Sequence, residues 1–307
     1  MTMGTSDEST RRDVSIVIPT CNRCTSLLRC LESISENTYP PERVEIVVVD
    51  GGEDRTQSRV REFADRTQMT VQYIDSSGDG NPAVARNRGA KRASHSLLLF
   101  CDSDCVVEPG WIRAHVKAHS TARGEVVVGP FFEAANGDVS VADHQARLEK
   151  ERFGRYVASR EEPLTIDARN FSTTDDAFRA IGGFDESLAS NEDVEFGLRA
   201  RQHTTIHFRR DARVHHWYPE SIIGWYRRLA WHGYGAGQVL SNLNGSSPGR
   251  LLDSGQSDEM IFYRTARSGL LISMASILRS SSGRWKLFSF VSIVVYKLFV
   301  HLGARRR

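Results

Sequence analysis

Two aspartates one residue apart, Asp102-Ser103-Asp104, follow the apolar run Leu97–Phe100. That spacing can present two carboxylates to one ligand from one side. Mg²⁺ and Mn²⁺ take oxygen ligands and usually keep waters and substrate oxygens in their remaining positions. Asp50 ends a second apolar run, Val44–Val49, and Asn22 and Arg23 follow a third, Val14–Ile18. A rim crowded with carboxylates needs a divalent cation if its ligand is itself an anion. Aspartates also cap loops, and the D-x-D spacing alone fits either use. Further on, Glu192-Asp193 opens the charged stretch Asn191–Arg201. Carboxylates there suit a general base, and equally the first turn of a helix that Asn191 would cap.

These residues must be positioned by the elements before them. Val14–Ile18, Val44–Val49, Val71–Ile74, Leu97–Phe100 and Glu125–Val128 read as strands. Between them, Ser26–Ile34, Thr56–Gln68, Ala83–Ala93 and Pro109–His119 have helical patterns. Near-continuous apolar strands alternating with helices predict an α/β fold, a mostly parallel sheet with helices on both faces. Ligands of such sheets bind beyond the carboxyl ends of the strands, where the aspartates stand.

Composition narrows the class. The 307 residues suffice for one large domain or two modest ones, at roughly 100–200 residues each. Forty Lys and Arg against 38 Asp and Glu leave a charge of +2, too balanced for a nucleic-acid binder. Five cysteines do not make a disulfide framework and predict reduced thiols in a cytoplasmic setting. The polar start, Met1–Asp13, does not read as a targeting peptide. No Walker A, H-E-x-x-H or paired C-x-x-C motif occurs.

Several ordered segments together resemble the inverting family 2 glycosyltransferases of the GT-A fold. Val14–Arg23 is similar to that family's "VSIVIPTYNR", Val47–Thr56 to "VVDDGSTDxT" and Ala85–Ala90 to "ARNxGA". Phe100–Asp104 matches the strand into D-x-D, Ile181–Glu186 matches "xGGFDE", and Glu192-Asp193 stands where the family has its E-D pair. The resemblance runs over about residues 13–217, which it implies to be the GT-A catalytic domain, followed by a helical C-terminal region, 218–307. It implies a nucleotide-diphosphate sugar donor, a UDP-sugar, and Mn²⁺ or Mg²⁺. Asp50 would accept from the base, with Pro19, Thr20 and Arg23 shaping that pocket. Arg86 would sit by the diphosphate or the acidic pair. Asp102 and Asp104, around Ser103, would hold ribose and metal, Asp104 more firmly. Asp193 would be the general base and Glu192 its neighbour. In Val214-His215-His216, His216 fits the family's late metal-facing histidine by its V-x-H spacing.

Inversion at an anomeric carbon asks for one base on the acceptor side and for charge stabilisation of the leaving diphosphate. A hydrolase would need an acid and a base flanking the bond. A base at a helix start is stabilised as the anion, so Asp193 would need burial or the acidic neighbour Glu192 to stay basic. The chain departs from the family pattern in places. Gly51 replaces an acid and Glu53 a serine, leaving either Glu53 or Asp54 to meet the nucleotide. Asn170 precedes acids, Asp175-Asp176, where the family commonly has arginine, and is a candidate contact for sugar or acceptor. The Q-x-x-R-W signature of processive synthases is missing after Trp217, which favours transfer of a single sugar. The acceptor would be a hydroxyl of a glycan, a lipid-linked molecule or a small molecule. A sugar nucleotidyltransferase and a non-catalytic nucleotide-sugar-binding protein are the alternatives. The first usually has a G-x-G-x-R turn after its first strand, unlike Pro19–Arg23.

Gly78–Ala83 spells G-x-G-x-x-A, but after the third strand and with Pro82 inside it, so a dinucleotide site is not expected. Gly245–Gly249 spells G-x-S-x-G without a preceding strand and reads as a linker. Cys21-Asn22-Arg23-Cys24 is a lone C-x-x-C, two ligands short of a zinc site. Trp285–Leu302 carries a broad apolar face, with Lys286 and Lys297 close together on the helical wheel. It is too short of uninterrupted apolar residues to span a bilayer. With the terminal Arg305–Arg307 it fits a helix lying on the inner face of the cell membrane, or one buried against the catalytic domain or in a homodimer.

Overall fold

The structure, a computed structural model, describes residues 12–121, 126–134, 166–217, 222–245 and 294–302. Seven strands form the main sheet: β1 (Val14–Thr20), β2 (Val44–Asp50), β3 (Thr70–Asp75), β4 (Leu97–Cys101), β6 (Val126–Val128), β8 (Asn170–Thr174) and β9 (Ile206–Phe208). Their spatial order is β3-β2-β1-β4-β8-β6-β9. β1 pairs in parallel with both β2 and β4, β2 with β3 and β6 with β9, while β8 runs antiparallel to β4 and β6. A small sheet, β5-β10-β7, is made of Cys105–Val107, Val214–Trp217 and Phe131–Ala134.

The expected α/β architecture is therefore present, with its reason in the burial. All seven residues of β2 and all five of β4 are buried, as strands covered on both faces must be. Helices α1 (Cys24–Ser35), α2 (Thr56–Ala64), α3 (Pro82–Arg92) and α4 (Trp111–Thr121) alternate with the first strands. α5 (Asp175–Ile181), α6 (Glu192–His203) and α7 (Ile222–Gly245) follow. α2 stops at Ala64, short of the predicted Gln68. Pro82 occupies the first turn of α3 and Asn81 Oδ1 accepts from the Ala83 amide at 2.8 Å. The G-x-G-x-x-A string is thus a turn leading into a helix cap. The predicted strand residue Glu125, the linker residues 246–249 and Trp285–Ser292 with its following Ile293 lie outside the described residues. None of the five cysteines forms a disulfide.

Two buried polar clusters lock this sheet. At the amino end of β2, Glu45 accepts from Ser15 Oγ, Gln72 Nε2 (2.6 Å) and both the amide and hydroxyl of Ser94 (2.8 and 2.7 Å). Burial alone would raise this carboxyl, yet its hydrogen bonds together hold it below the ordinary range.

The second cluster joins α4 to β8. Asn170 is fully buried, and its Oδ1 accepts from Trp111 Nε1 (2.8 Å) and meets His115 Nε2 (3.0 Å). Its Nδ2 donates to the carbonyls of Pro130 (2.7 Å) and Ala212 (2.8 Å). An indole N–H can only donate, so the amide orientation is fixed, and His115 must carry its proton on Nε2. His115 Nδ1 then accepts from Ser172 Oγ at 2.8 Å, and Ser172 in turn accepts from His119 Nε2 at 2.9 Å. The chain of donors runs one way and needs the His115 imidazole neutral, since its Nδ1 must accept.

Burial pushes His115 down to about 4 and His119 down to about 3. Below the unfolded histidine value of about 6.5 the unfolded chain takes up protons that the folded one refuses, so stability falls with pH. The slope approaches about 1.4 kcal/mol per pH unit per histidine between pH 6.5 and 4. We expect the urea midpoint to drop between pH 6.5 and 5, and His119→Phe to flatten that drop. Equal slopes for the two proteins would refute the assignment.

The chain divides into two compact units, one within Met1–Phe132, Ile166–Phe184 and Arg199–His216, the other within Glu133–Thr165, Asp185–Leu198 and Trp217–Arg307. In the second, Leu188, Leu198, Ala236 and Val239 form a small core against which Val194, Tyr296 and Val300 pack. Residues 294–302 are helical, and Val294, Leu298 and Leu302, each four residues on, are 49%, 53% and 43% exposed. No helix among the described residues is long and apolar enough to cross a membrane.

Candidate functional site

The β1–α1 and β2–α2 junctions meet at the carboxyl ends of their strands, where Thr20 stands opposite Asp50. A cleft of about 560 Å³ lies here, lined by residues that include Asn22, Arg23, Glu53, Asp54 and Arg55. The path of the backbone depends on small residues: a Cβ on Gly51 would meet the Asp79 carbonyl at 2.6 Å, and one on Gly52 the Asn22 amide at 2.4 Å. That is why glycine replaces an acid at position 51. Asn22 adopts the left-handed φ of 53°, and its Oδ1 accepts from the Glu53 amide at 3.0 Å.

Asp54 settles both flanking helices. Its Oδ2 accepts from the Cys24 amide that opens α1 (3.2 Å), and its Oδ1 from the amide (3.0 Å) and hydroxyl of Thr56, which opens α2. The Thr56 contacts, ahead of the others, hold its carboxyl below the usual range. Asp54 thus ties the cleft together, and both it and Glu53 are exposed. Asp50 is 1% exposed and lies under the cleft, accepting from the Gly52 amide and from the Tyr73 hydroxyl, each at 2.9 Å. Burial first, then the Asp50 hydrogen bond, raise the Tyr73 hydroxyl and keep it a donor. Thr20 Oγ1 is a buried hydroxyl with no hydrogen-bond partner among the described residues. Pro19 is half-buried beside it.

Asp102, Ser103 and Asp104 form the tight turn between β4 and β5, closed by the Cys105 amide donating to the Asp102 carbonyl at 3.0 Å. Ser103 is buried in this turn. Asp102 pairs with Arg86 at 2.6 Å, and the Arg86 guanidinium lies 5.7 Å from the centre of the Phe184 ring. Asp104 pairs with Arg23 through Oδ2, while its Oδ1 is 3.2 Å from His216 Nε2.

The register of β10 on β5 sets His216 opposite Cys105, next to Asp104. Alternation along β10 then sends His215 to the other face, where it pairs with Glu108 at 3.3 Å. Asp104 and His216 therefore fit a divalent cation that keeps open positions. Among the described residues no three His, Cys, Asp or Glu side chains group closely enough to enclose an ion alone. Such a site relies on water and ligand oxygens for the rest.

The remaining motifs turn out to be braces. In α3, Arg86 orients Asp102, and Asn87 exchanges two bonds of 2.9 Å with the Phe184 backbone. Gly89 packs where a Cβ would strike Val17 at 2.4 Å. Gly182 and Gly183 take φ of 96° and 66° to end α5, and Arg199 donates to the carbonyls of Ile181 and Gly183. Asn170, expected to meet sugar or acceptor, instead has all four of its hydrogen-bonding positions taken inside the protein.

Glu192 and Asp193 start α6 in the second unit. Asn191 does not cap them with its side-chain oxygen as expected: at φ 63° its Nδ2 donates to Ser190 Oγ (3.0 Å) and to the His232 carbonyl (2.9 Å). Its carbonyl accepts from the Glu195 amide instead. Ser190 donates to the Trp231 carbonyl at 2.9 Å, and Gln238 accepts from the Ala189 amide at 2.8 Å. Gly235 admits this loop against α7, since a Cβ there would lie 2.2 Å from Ser190 Oγ. Glu192 is 6% exposed and Asp193 is half-buried. Sequence reasoning missed Tyr73 and the α7 contacts.

A family model described as "Glycosyl transferase family 2" matches residues 15–185. Glycosyltransferase AglE of Haloferax volcanii is 28% identical over 194 residues, 62% of either chain. A validoxylamine A glucosyltransferase of Streptomyces hygroscopicus subsp. limoneus is 30% identical over 220 residues, 62% of this chain and 48% of its own. The chain thus spans about half to two thirds of the length of the curated relatives it matches first. Among solved structures, a mannosyltransferase from Pyrobaculum calidifontis in complex with GDP-Man and Mn²⁺ superposes with a TM-score of 0.64 at 16% identity. That match covers 95% of this chain and 83% of the other. TarS of S. aureus in complex with UDP-GlcNAc gives 0.54 at 14%, over 95% and 90%. These likenesses identify the fold as GT-A.

Proposed function

Because the chain belongs to glycosyl transferase family 2, we propose that it is a glycosyltransferase that moves one sugar from a UDP-sugar to an acceptor hydroxyl, with inversion and with a divalent cation. The observation that carries this reading is Asp104, a buried carboxylate held between Arg23 and His216 at the end of β4 and beside the β1–β2 cleft. Asp104 and His216 would hold the cation, Mn²⁺ or Mg²⁺, which when bound neutralises charge on the departing diphosphate. Asp102, oriented by Arg86, would lend an oxygen to ribose or metal. Arg86 itself is nearly inaccessible and acts through Asp102. Thr20 Oγ1, Glu53 and the cleft backbone would receive the nucleotide base, with Asp50, Tyr73 and Asp54 fixing their places. Asp193 would take the acceptor proton, with Glu192 behind it. The solved neighbours hold GDP-Man and UDP-GlcNAc in their own sites.

The catalytic domain in this reading is 13–217, and 218–307 serves attachment. The exposed stripe Val294, Leu298 and Leu302, beside Lys297, suits peripheral contact with the inner face of the cell membrane and a lipid-linked acceptor. A homodimer through the same helices is the competing use.

The test is a panel of UDP- and GDP-sugars with Mn²⁺ or Mg²⁺, read by thermal shift and by release of nucleoside diphosphate. A UDP-sugar should stabilise the wild type only when metal is present, and Asp104→Ala or chelation should erase the effect. Metal-independent donor binding would overturn the cation's part. Donor binding without transfer or hydrolysis would point to the non-catalytic alternative.

A further inference from the structure

We propose that Arg23 is an exchangeable counter-ion: it neutralises Asp104 in the structure seen here, and releases it to the cation in order to meet the donor's diphosphate. The proposal rests on the metal-assisted reading above and concerns what this chain's own arginine does there.

The two aspartate–arginine pairs at the end of β4 are built in opposite ways. In the first, the arginine is the buried member: the Arg86 side chain is 5% exposed and Asp102 27%. Arg86 is buried, with the Phe184 ring centre 5.7 Å from its guanidinium. In the second the arginine is the accessible member: Arg23 is 48% exposed and Asp104 7%. Asp104 is held by its surroundings and Arg23 only by its head. A guanidinium on Oδ2 and a hard dication on the same carboxylate, whether on Oδ2 or on the Oδ1 that faces His216, are like charges held close enough to repel strongly. That repulsion drives Arg23 away from Asp104 when a cation binds the carboxylate.

Its backbone does not have to move for this. Arg23 precedes the first turn of α1, where its carbonyl accepts from the Leu27 amide at 2.9 Å, and Asn22 before it is fixed by its bond to Glu53. The side chain also lines the cleft. Rotation about its own bonds is enough to carry the charge from Asp104 to an anion seated there, and a guanidinium suits phosphate oxygens in bidentate geometry. Cation and nucleotide would then bind cooperatively: each makes room for, or supplies, the other's counter-charge.

Full-length protein should be titrated with Mn²⁺ alone, following free Mn²⁺ by electron paramagnetic resonance. UDP and GDP should then be titrated calorimetrically at saturating Mn²⁺. In Arg23→Gln we expect Mn²⁺ alone to bind about three- to tenfold more tightly, since no resident charge competes, and the diphosphate to bind about fivefold or more weakly. Arg23→Lys should lie nearer the wild type on both. Opposite signs are the signature, because a merely structural arginine would weaken both or neither. Equal Mn²⁺ affinity in wild type and Arg23→Gln, with binding abolished by Asp104→Asn, overturns the counter-ion and leaves the metal reading standing. Mn²⁺ binding that Asp104→Asn does not alter overturns both.

Discussion

Asp193→Asn should lower transfer about 10²–10⁴-fold while changing donor affinity by less than about twofold, the range expected for loss of a general base. The substitution keeps the size of the side chain and its ability to accept from the Val194 amide, which Asp193 Oδ1 does at 2.8 Å. It removes only the capacity to take a proton. The surrounding construction argues that this carboxylate is placed deliberately. The residue two before it sits at a φ of 63°, a conformation that non-glycine residues adopt at a cost and that clusters at functional sites. Four residues of the approach, Ser187 to Ser190, lie on α7 through Gln238, Trp231 and Gly235. Rates at saturating donor and acceptor, with donor affinity from calorimetry, make the comparison. Turnover within tenfold of the wild type in a folded Asp193→Asn protein would remove Asp193 from the mechanism.

The second large effect falls on stability. Asn170→Ala should cost on the order of 5 kcal/mol, because it strands the Trp111 indole, one imidazole and two carbonyls in a fully buried space. Domains are stable by only about 5–15 kcal/mol, so the variant should be barely folded. A fall in thermal midpoint of about 10–20 °C is expected for a unit of this size. The same experiment decides what Asn170 is for. A contact to sugar or acceptor predicts lost affinity at unchanged midpoint, and that result would contradict the hydrogen-bonded role.

The valine- and leucine-rich strands were legible because burial on both faces leaves no room for polar residues. β8, with sequence Asn-Phe-Ser-Thr-Thr, was not read as a strand. Its Asn170 and Ser172 side chains face a buried histidine network rather than solvent, and nothing in local periodicity signals that. The three- and four-residue strands β5, β9 and β10 are too short to show a period, although one of them decides the choice between His215 and His216. V-x-H spacing favours His216, and strand alternation sets that residue beside Asp104. Arg23 was legible as a candidate site residue, but its partner Asp104 is 81 positions away and belongs to a different strand end. Tyr73 could have been found: Asp75 stands opposite Asp50, so Tyr73, two residues back on the same face, is its diagonal neighbour. Side-chain networks between distant elements were the part that residue spacing does not encode.

The strand order carries a consequence for synthesis of the chain on the ribosome. β3, β2, β1 and β4 are all complete once Cys101 has emerged, and they can pair at once. The other edge of β4 is covered by β8, which ends at Thr174. At roughly 5–20 residues per second, the intervening stretch of about 70 residues takes roughly 4–15 s to make. Throughout that interval the nascent protein displays a bare edge of sequence Leu-Leu-Leu-Phe-Cys, apolar and uncharged, which is the kind of strand other chains add to. Stalled or truncated products ending before Thr174 should therefore aggregate through β4 even when the strands before it have folded.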